Sequence, residues 1–131
     1  MIFGIGTDIV EIARLGHSYQ RHGQRLLARL LAPDEQVEFA AASDPARFLA
    51  KRWAAKEAFA KALGTGIRPP VTLAGIGVGH DEAGRPILIF DPAIQQLLRQ
   101  QGIQNAHLSL SDERLSAVAF VILESAGTAC L

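Results

Sequence analysis

Residues 48–63, FLAKRWAAKEAFAKAL, read as one helix with both ends marked. Asp44-Pro45 supplies a capping carboxylate followed by proline at the first helical position, where its missing N–H costs nothing. Gly64 and Gly66 stop the helix, because glycine takes the left-handed conformation that a helix C-terminus needs. Alanine fills the body and favours the helical state. At 100° per residue, Glu57 shares a face with Ala50, Trp53, Ala54 and Ala60. Phe48, Ala55, Phe59 and Ala62 lie opposite, with Arg52 among them. Apolar residues surround the axis, so the helix is expected to be largely buried. Yet it carries Lys51, Arg52, Lys56 and Lys61 against one acid, Glu57. Charges on a buried helix need partners, and a metal ion and the phosphates of a ligand would serve. The plainer alternative is a surface ion pair between Glu57 and Lys61, four apart in the favoured order and worth about 0.3–0.5 kcal/mol. The alanines and tryptophan flanking Glu57 weigh against it.

The whole chain sets the limits within which this helix must work. At 131 residues it makes one domain, expected over residues 1–125, with 126–131 as a loose tail. A hydrophobic content of 49% suffices for a core and for burying surface against further copies. The formal net charge is zero, so there is no global attraction for nucleic acid. Charge is uneven, however: Arg14, Arg21, Arg25 and Arg29, with His17 and His22, occupy residues 12–31 without a single acid. One cysteine, Cys130, leaves no intrachain disulfide possible. No apolar run reaches membrane-spanning length and no signal-peptide pattern opens the chain, so a cytoplasmic protein that does not enter membranes is expected.

Upstream, residues 1–10 alternate as a strand, with Phe3, Ile5 and Ile9 on one face and Gly4, Gly6 and Asp8 on the other. The two glycines leave room for something to approach the backbone closely. Asp8 then either serves the site or merely caps the next helix. Arg14, Arg21 and Arg25 share a face if the helix from Ile12 runs through Gly23, and separate if it breaks there. A one-sign patch of this kind is either solvated or receives an acidic partner. Pro33 opens a further helix with Asp34 and Glu35 in its first turn. Downstream of Gly66, Leu73, Ile76 and Val78, and then Ile87–Phe90, read as the two strands of a hairpin about Asp81–Gly84, and Pro86 marks strand entry. Asp91-Pro92 caps a helix to about Gln101. His107, Ser109 and Ser111 alternate with Leu108 and Leu110, and Ala117–Leu123 is an apolar strand. Helices early and antiparallel strands late make the fold α+β.

Joined together, these pieces resemble a family. G-T-D-I-V-E-I at residues 6–12, R-W-A-A-K-E-A-F-A-K-A at 52–62, G-T-G at 64–66, G-R-P at 84–86 and H-L-S-L-S at 107–111 occur in order over nearly the whole chain. The set is similar to the holo-acyl-carrier-protein synthases, the short bacterial branch of the 4′-phosphopantetheinyl transferases. The resemblance implies an antiparallel sheet packed with helices, assembled as a homotrimer with sites between subunits. It implies transfer of phosphopantetheine from coenzyme A to a serine of apo acyl carrier protein, releasing adenosine 3′,5′-bisphosphate.

Residue by residue, the resemblance makes Asp8 and Glu57 ligands of Mg2+, the kind of hard cation that takes one or two carboxylates plus phosphates and water. They are the expected catalytic residues together with Lys61, which would contact the same phosphates. Lys51, Arg52, Arg85 and His107, with Gly64, Gly66 and Pro86, become candidates for binding coenzyme A. Arg14 and Arg21, with Arg25, become the docking surface for the acidic carrier. The acceptor of the serine proton stays open among Glu57, Asp8 and a metal-bound water. The chain departs from many relatives at Asp112, where they carry histidine, and at Ala32, where a threonine cap is more usual. Two other functions use the same residues: a magnesium-dependent phosphohydrolase, and a non-catalytic module that docks acidic proteins.

Overall fold

The first strand lies on the long helix through its bare face. The computed structural model describes residues 1–126. Strand β1 (Ile2–Glu11) leads into helices α1 (Ile12–His22), α2 (Gln24–Leu30), α3 (Pro33–Ala40) and α4 (Pro45–Leu63). Strands β2 (Ile76–His80) and β3 (Pro86–Phe90), helix α5 (Pro92–Gln100) and strands β4 (Ile103–Asp112) and β5 (Ser116–Ser125) follow. The expected tail lies, from residue 127 on, outside the described residues.

Two antiparallel sheets form: β1-β5-β4, and the separate hairpin β2-β3. In the larger sheet Gly6 pairs with Val121 and Asp8 with Ala119, while Leu108 and Leu110 pair with the same two residues from the other side. Inward residues of β5 are Ala117, Ala119, Val121 and Leu123, all buried against α4. A Cβ added to Gly4 would sit 1.9 Å from the Ala62 carbonyl oxygen, and one added to Gly6 would sit 2.0 Å from that of Ala58. What approaches the two glycines is therefore the backbone of α4 itself. The apolar side of β1 faces the other way. Ile5 is 54% exposed and Ile9 69%, and Val118 and Phe120 continue the same outer face.

The helix ends follow their residues. Asp44 accepts the Arg47 N–H at 3.1 Å at the start of α4, and Gly64 ends it with φ of 87°. Gly23, with φ of 52° and ψ of −125°, breaks the basic segment, so Arg25 belongs to a different helix from Arg14 and Arg21. The hairpin turn is held by Asp81, whose Oδ1 accepts the Ala83 and Arg85 N–H groups at 2.9 Å each. Asp91 caps α5 by accepting the Ile94 N–H at 2.9 Å. Tyr19, Phe39 and Phe48 meet edge to face and join α1, α3 and α4. Phe59 on Phe90 ties α4 to the hairpin.

Candidate active site

Because β1 runs along α4 with Gly4 over Ala62 and Gly6 over Ala58, the next inward residue, Asp8, falls one helical turn further on. That brings it beside Glu57, while Lys61, on the turns already passed, reaches back to it with its long side chain. Lys61 donates to the Asp8 carboxylate at 2.9 Å and to the Thr7 carbonyl at 3.0 Å. Asp8 is mostly buried at 15% side-chain exposure, whereas Lys61 is 54% exposed. Glu57 stands beside Asp8 closely enough to feel its charge: burial first, and then the Asp8 carboxylate, raise the Glu57 pKa above the ordinary glutamate value. Lys61 and Arg14 pull it back. The Glu57–Lys61 surface pair of the plainer reading is absent from the ion pairs of the described residues; the lysine turns to the strand instead. Asp8 does not cap α1 either, since Glu11 holds the N-cap position and makes no side-chain bond there.

Two adjacent carboxylates with one exposed ammonium suit a hard divalent cation. No group of three or more His, Cys, Asp or Glu able to hold a metal occurs among the described residues. Such an ion would therefore take its remaining oxygens from a ligand and water, as magnesium commonly does. Where β1 passes into α1, a groove of about 570 Å³ is lined by Ile9, Val10, Glu11, Ala13, Arg14, His17 and Ser116.

Residues 4–119 match the family model described as the 4′-phosphopantetheinyl transferase superfamily. The chain belongs to this superfamily. It is 56% identical over 126 residues to the holo-[acyl-carrier-protein] synthase of Dechloromonas aromatica, covering 96% of this chain and 100% of that protein. The crystal structure of the holo-[acyl-carrier-protein] synthase of Neisseria meningitidis is similar at a TM-score of 0.93 and 49% identity, covering 95% of this chain and all of that one. The corresponding synthase of Bacillus anthracis, solved in complex with CoA (3′,5′-ADP), is similar at a TM-score of 0.80 and 37% identity, over 96% and 99% of the two chains.

In this transferase-family chain the remaining expected residues divide. Arg52 requires a correction. Expected among the phosphate and nucleotide contacts, it is buried, with Nη2 donating to Glu38 at 3.2 Å and its guanidinium stacked 4.3 Å over Phe48. Its Nε lies 3.1 Å from Glu35 Oε2, without the alignment of a hydrogen bond. Lys56, also buried, pairs with Glu35 at 2.6 Å and donates to the Leu30 carbonyl. The two buried cations of α4 thus find their partners inside the protein. The sequence signal was present: Arg52 and Lys56 are four apart on one face of a buried helix, which requires an acid on a neighbouring element. Glu35, placed in the first turn of α3 as a dipole partner, is that acid.

Lys51 lies 3.7 Å from Asp112, which Arg47 also holds at 2.7 Å. Asp112 is thereby tied to the first turns of α4. Ala32 caps nothing, but its N–H donates to Glu35 at 2.9 Å. Gly64 and Gly66 face open space, and Arg85 with Pro86 stands at the exposed hairpin turn. His107 is on the outer face of the sheet, hydrogen-bonded to Glu124, whose pKa this bond lowers. Within one chain it is on the opposite side of the sheet from Asp8.

The raised Glu57 pKa has a measurable consequence for stability. Glu57 binds its proton more tightly folded than unfolded, so its contribution is complete below the ordinary glutamate value and is lost as pH rises through the raised one. Glu57→Gln cannot ionise. In metal-free buffer it is expected to melt above the parent at pH 7, with the difference vanishing towards about pH 4. Thermal denaturation at the two pH values checks this; a variant melting below the parent at neutral pH contradicts it.

Proposed function

We propose that this chain transfers 4′-phosphopantetheine from coenzyme A to a serine hydroxyl of apo acyl carrier protein, releasing adenosine 3′,5′-bisphosphate. The observation that carries the proposal is the meeting of Asp8, Glu57 and Lys61 at the β1–α4 contact. The serine oxygen attacks the phosphorus that bears pantetheine, and the bond to the bridging pyrophosphate oxygen breaks. The leaving nucleotide keeps the electron pair, and the serine proton passes to a base. Asp8 and Glu57 are the ligands in this reading for Mg2+, which when bound neutralises pyrophosphate charge. Lys61, at the exposed rim, supplies an ammonium to phosphate oxygens. Lys51, Arg85, Pro86, Gly64, Gly66 and His107 remain the residues proposed to hold coenzyme A.

The outer sheet face supports assembly of copies. Ile5, Ile9, Val118 and Phe120 form an apolar patch that water disfavours. A trimer would cover it and bring His107 of one copy towards another copy's site. Light scattering is expected to give three times the 14.1 kDa chain mass; a monomer at micromolar concentration rejects the trimer.

The carrier is proposed to dock on α1 and α2 through Arg14, Arg21 and Arg25. Arg14 also acts on Glu57, so Arg21 is the cleaner test. Arg21→Ala is expected to raise the carrier KM about threefold at low salt, and less at high salt, with kcat unchanged. An unchanged KM at low salt removes Arg21 from the docking surface. No helix among the described residues is long and apolar enough to cross a membrane, and a cytoplasmic location fits this substrate pair.

Function is tested by weighing apo carrier protein after incubation with coenzyme A, with and without magnesium. A mass gain equal to phosphopantetheine, dependent on the metal, is expected. Nucleotide consumption with an unmodified carrier would instead identify a phosphohydrolase. No reaction, but retained carrier binding, would identify a docking module.

A further inference from the structure

Helix α4 is gripped differently on its two sides. Towards the sheet it presents Ala54, Ala58 and Ala62, and the contact with Gly4 and Gly6 is backbone on backbone. On this side α4 itself contributes only small side chains, packed under Val121 and Leu123 of β5. On the far side stand Arg52 and Lys56, directed at Glu35. Glu35 is fully engaged: its Oε1 takes the Ala32 N–H at 2.9 Å and Lys56 at 2.6 Å, and its Oε2 takes the Val78 N–H at 3.1 Å. One carboxylate therefore joins α3, α4 and the hairpin.

We propose that Glu35 and Lys56 are positioning residues, whose buried pairing fixes the rotation of α4 about its own axis and thereby sets where Glu57 stands relative to Asp8. The proposal rests on the transferase reading of that site. Lys56 immediately precedes Glu57, so the anchored residue and the functional one share a rigid stretch of helix. Side-chain atoms lie about 5–6 Å from a helix axis. A turn of about 10° therefore moves the Glu57 carboxylate by about 1 Å, a misplacement that can cost about 10²-fold in rate. Buried ion pairs contribute little net stability against apolar replacements, but their directionality can fix a register. Phe48 on Phe39 and Phe59 on Phe90 hold the same side of α4 by apolar packing, and the ion pair adds a directional contact at the residue next to Glu57.

The test is the charge-balanced double variant Glu35→Gln/Lys56→Met, in which the glutamine oxygen can still accept one of the two backbone N–H groups and Arg52 keeps Glu38. It is expected to melt about 5–10 °C below the parent, because one backbone N–H loses its acceptor, to lose about 10–100-fold in kcat, and to keep the carrier KM. Without substrate, it should also bind Mn2+ several-fold more weakly by electron paramagnetic resonance. A folded variant with parental kcat and parental Mn2+ affinity overturns the inference and leaves the transferase reading intact. A parent protein that does not modify the carrier overturns the reading itself. If the double variant is unfolded at the assay temperature, Glu35→Gln alone is measured in the same way. Unfolding of that variant too would assign the cluster to stability and overturn the positioning role.

Discussion

Glu57→Gln is expected to lower kcat for phosphopantetheine transfer by about 10³-fold, equivalent to about 4 kcal/mol of transition-state stabilisation. Carrier KM should stay within about twofold, because the docking arginines are untouched. Glutamine has nearly the same shape but carries no charge, so the loss reports electrostatics and not packing. Asp8→Asn should behave alike. The double variant should be scarcely worse than either single one, because two ligands of one ion act as a unit and their losses do not add. A time course of carrier mass measures all three. Retention of more than about a tenth of parental kcat in Glu57→Gln would be incompatible with a shared ion. The same substitution is expected to stabilise the metal-free fold at neutral pH. An acid crowded beside another acid is maintained for function at some cost in stability.

Gly6→Ala, with Gly4→Ala, should be among the most disruptive single-methyl additions in the described residues. Its new Cβ would lie 2.0 Å from the Ala58 carbonyl oxygen and 2.7 Å from the Ala62 nitrogen. Both are backbone atoms of α4, and neither can swing aside. Overpacking costs about 1–3 kcal/mol even where side chains can yield, so about 3 kcal/mol or more is expected here. That corresponds to a fall in Tm of about 10 °C for a chain of this size. Gly79→Ala is the control. Its Cβ would also be tight, at 2.7 Å, but against the tip of the Ile89 side chain, which can change rotamer. It should cost less than about 1 kcal/mol. Gly6→Ala should also lose more activity than its unfolded fraction explains, since β1 can yield only by moving Asp8 away from Glu57 and Lys61. Urea denaturation with parallel assays separates the two effects. A Gly6→Ala protein melting within about 2 °C of the parent would show that the strand and helix do not touch as described.

Much of the molecule was legible because its signals are local. Asp44-Pro45 and Gly64 bound α4 by capping chemistry that needs no tertiary partner. Asp81 and Gly84 turn the hairpin, and Asp91-Pro92 starts α5, for the same reason. The bare strand face of Gly4, Gly6 and Asp8 announced a close approach, and a helix made it.

Partner choice over long separations was decided by the fold. Lys61 has Glu57 four residues away, in the order that favours a pair, and bonds instead to Asp8, which is 53 residues distant. Arg52 and Lys56 looked free for phosphates until α3 delivered Glu35 to them. His107 shares a strand with inward residues yet stands on the other side of the sheet from Asp8, because alternation gives its side chain the outer face. The amino-acid order determined which segments become helix or strand and which charges need company. Only packing decided who keeps that company, because a buried charge is satisfied by whatever group the neighbouring element brings within about 3 Å.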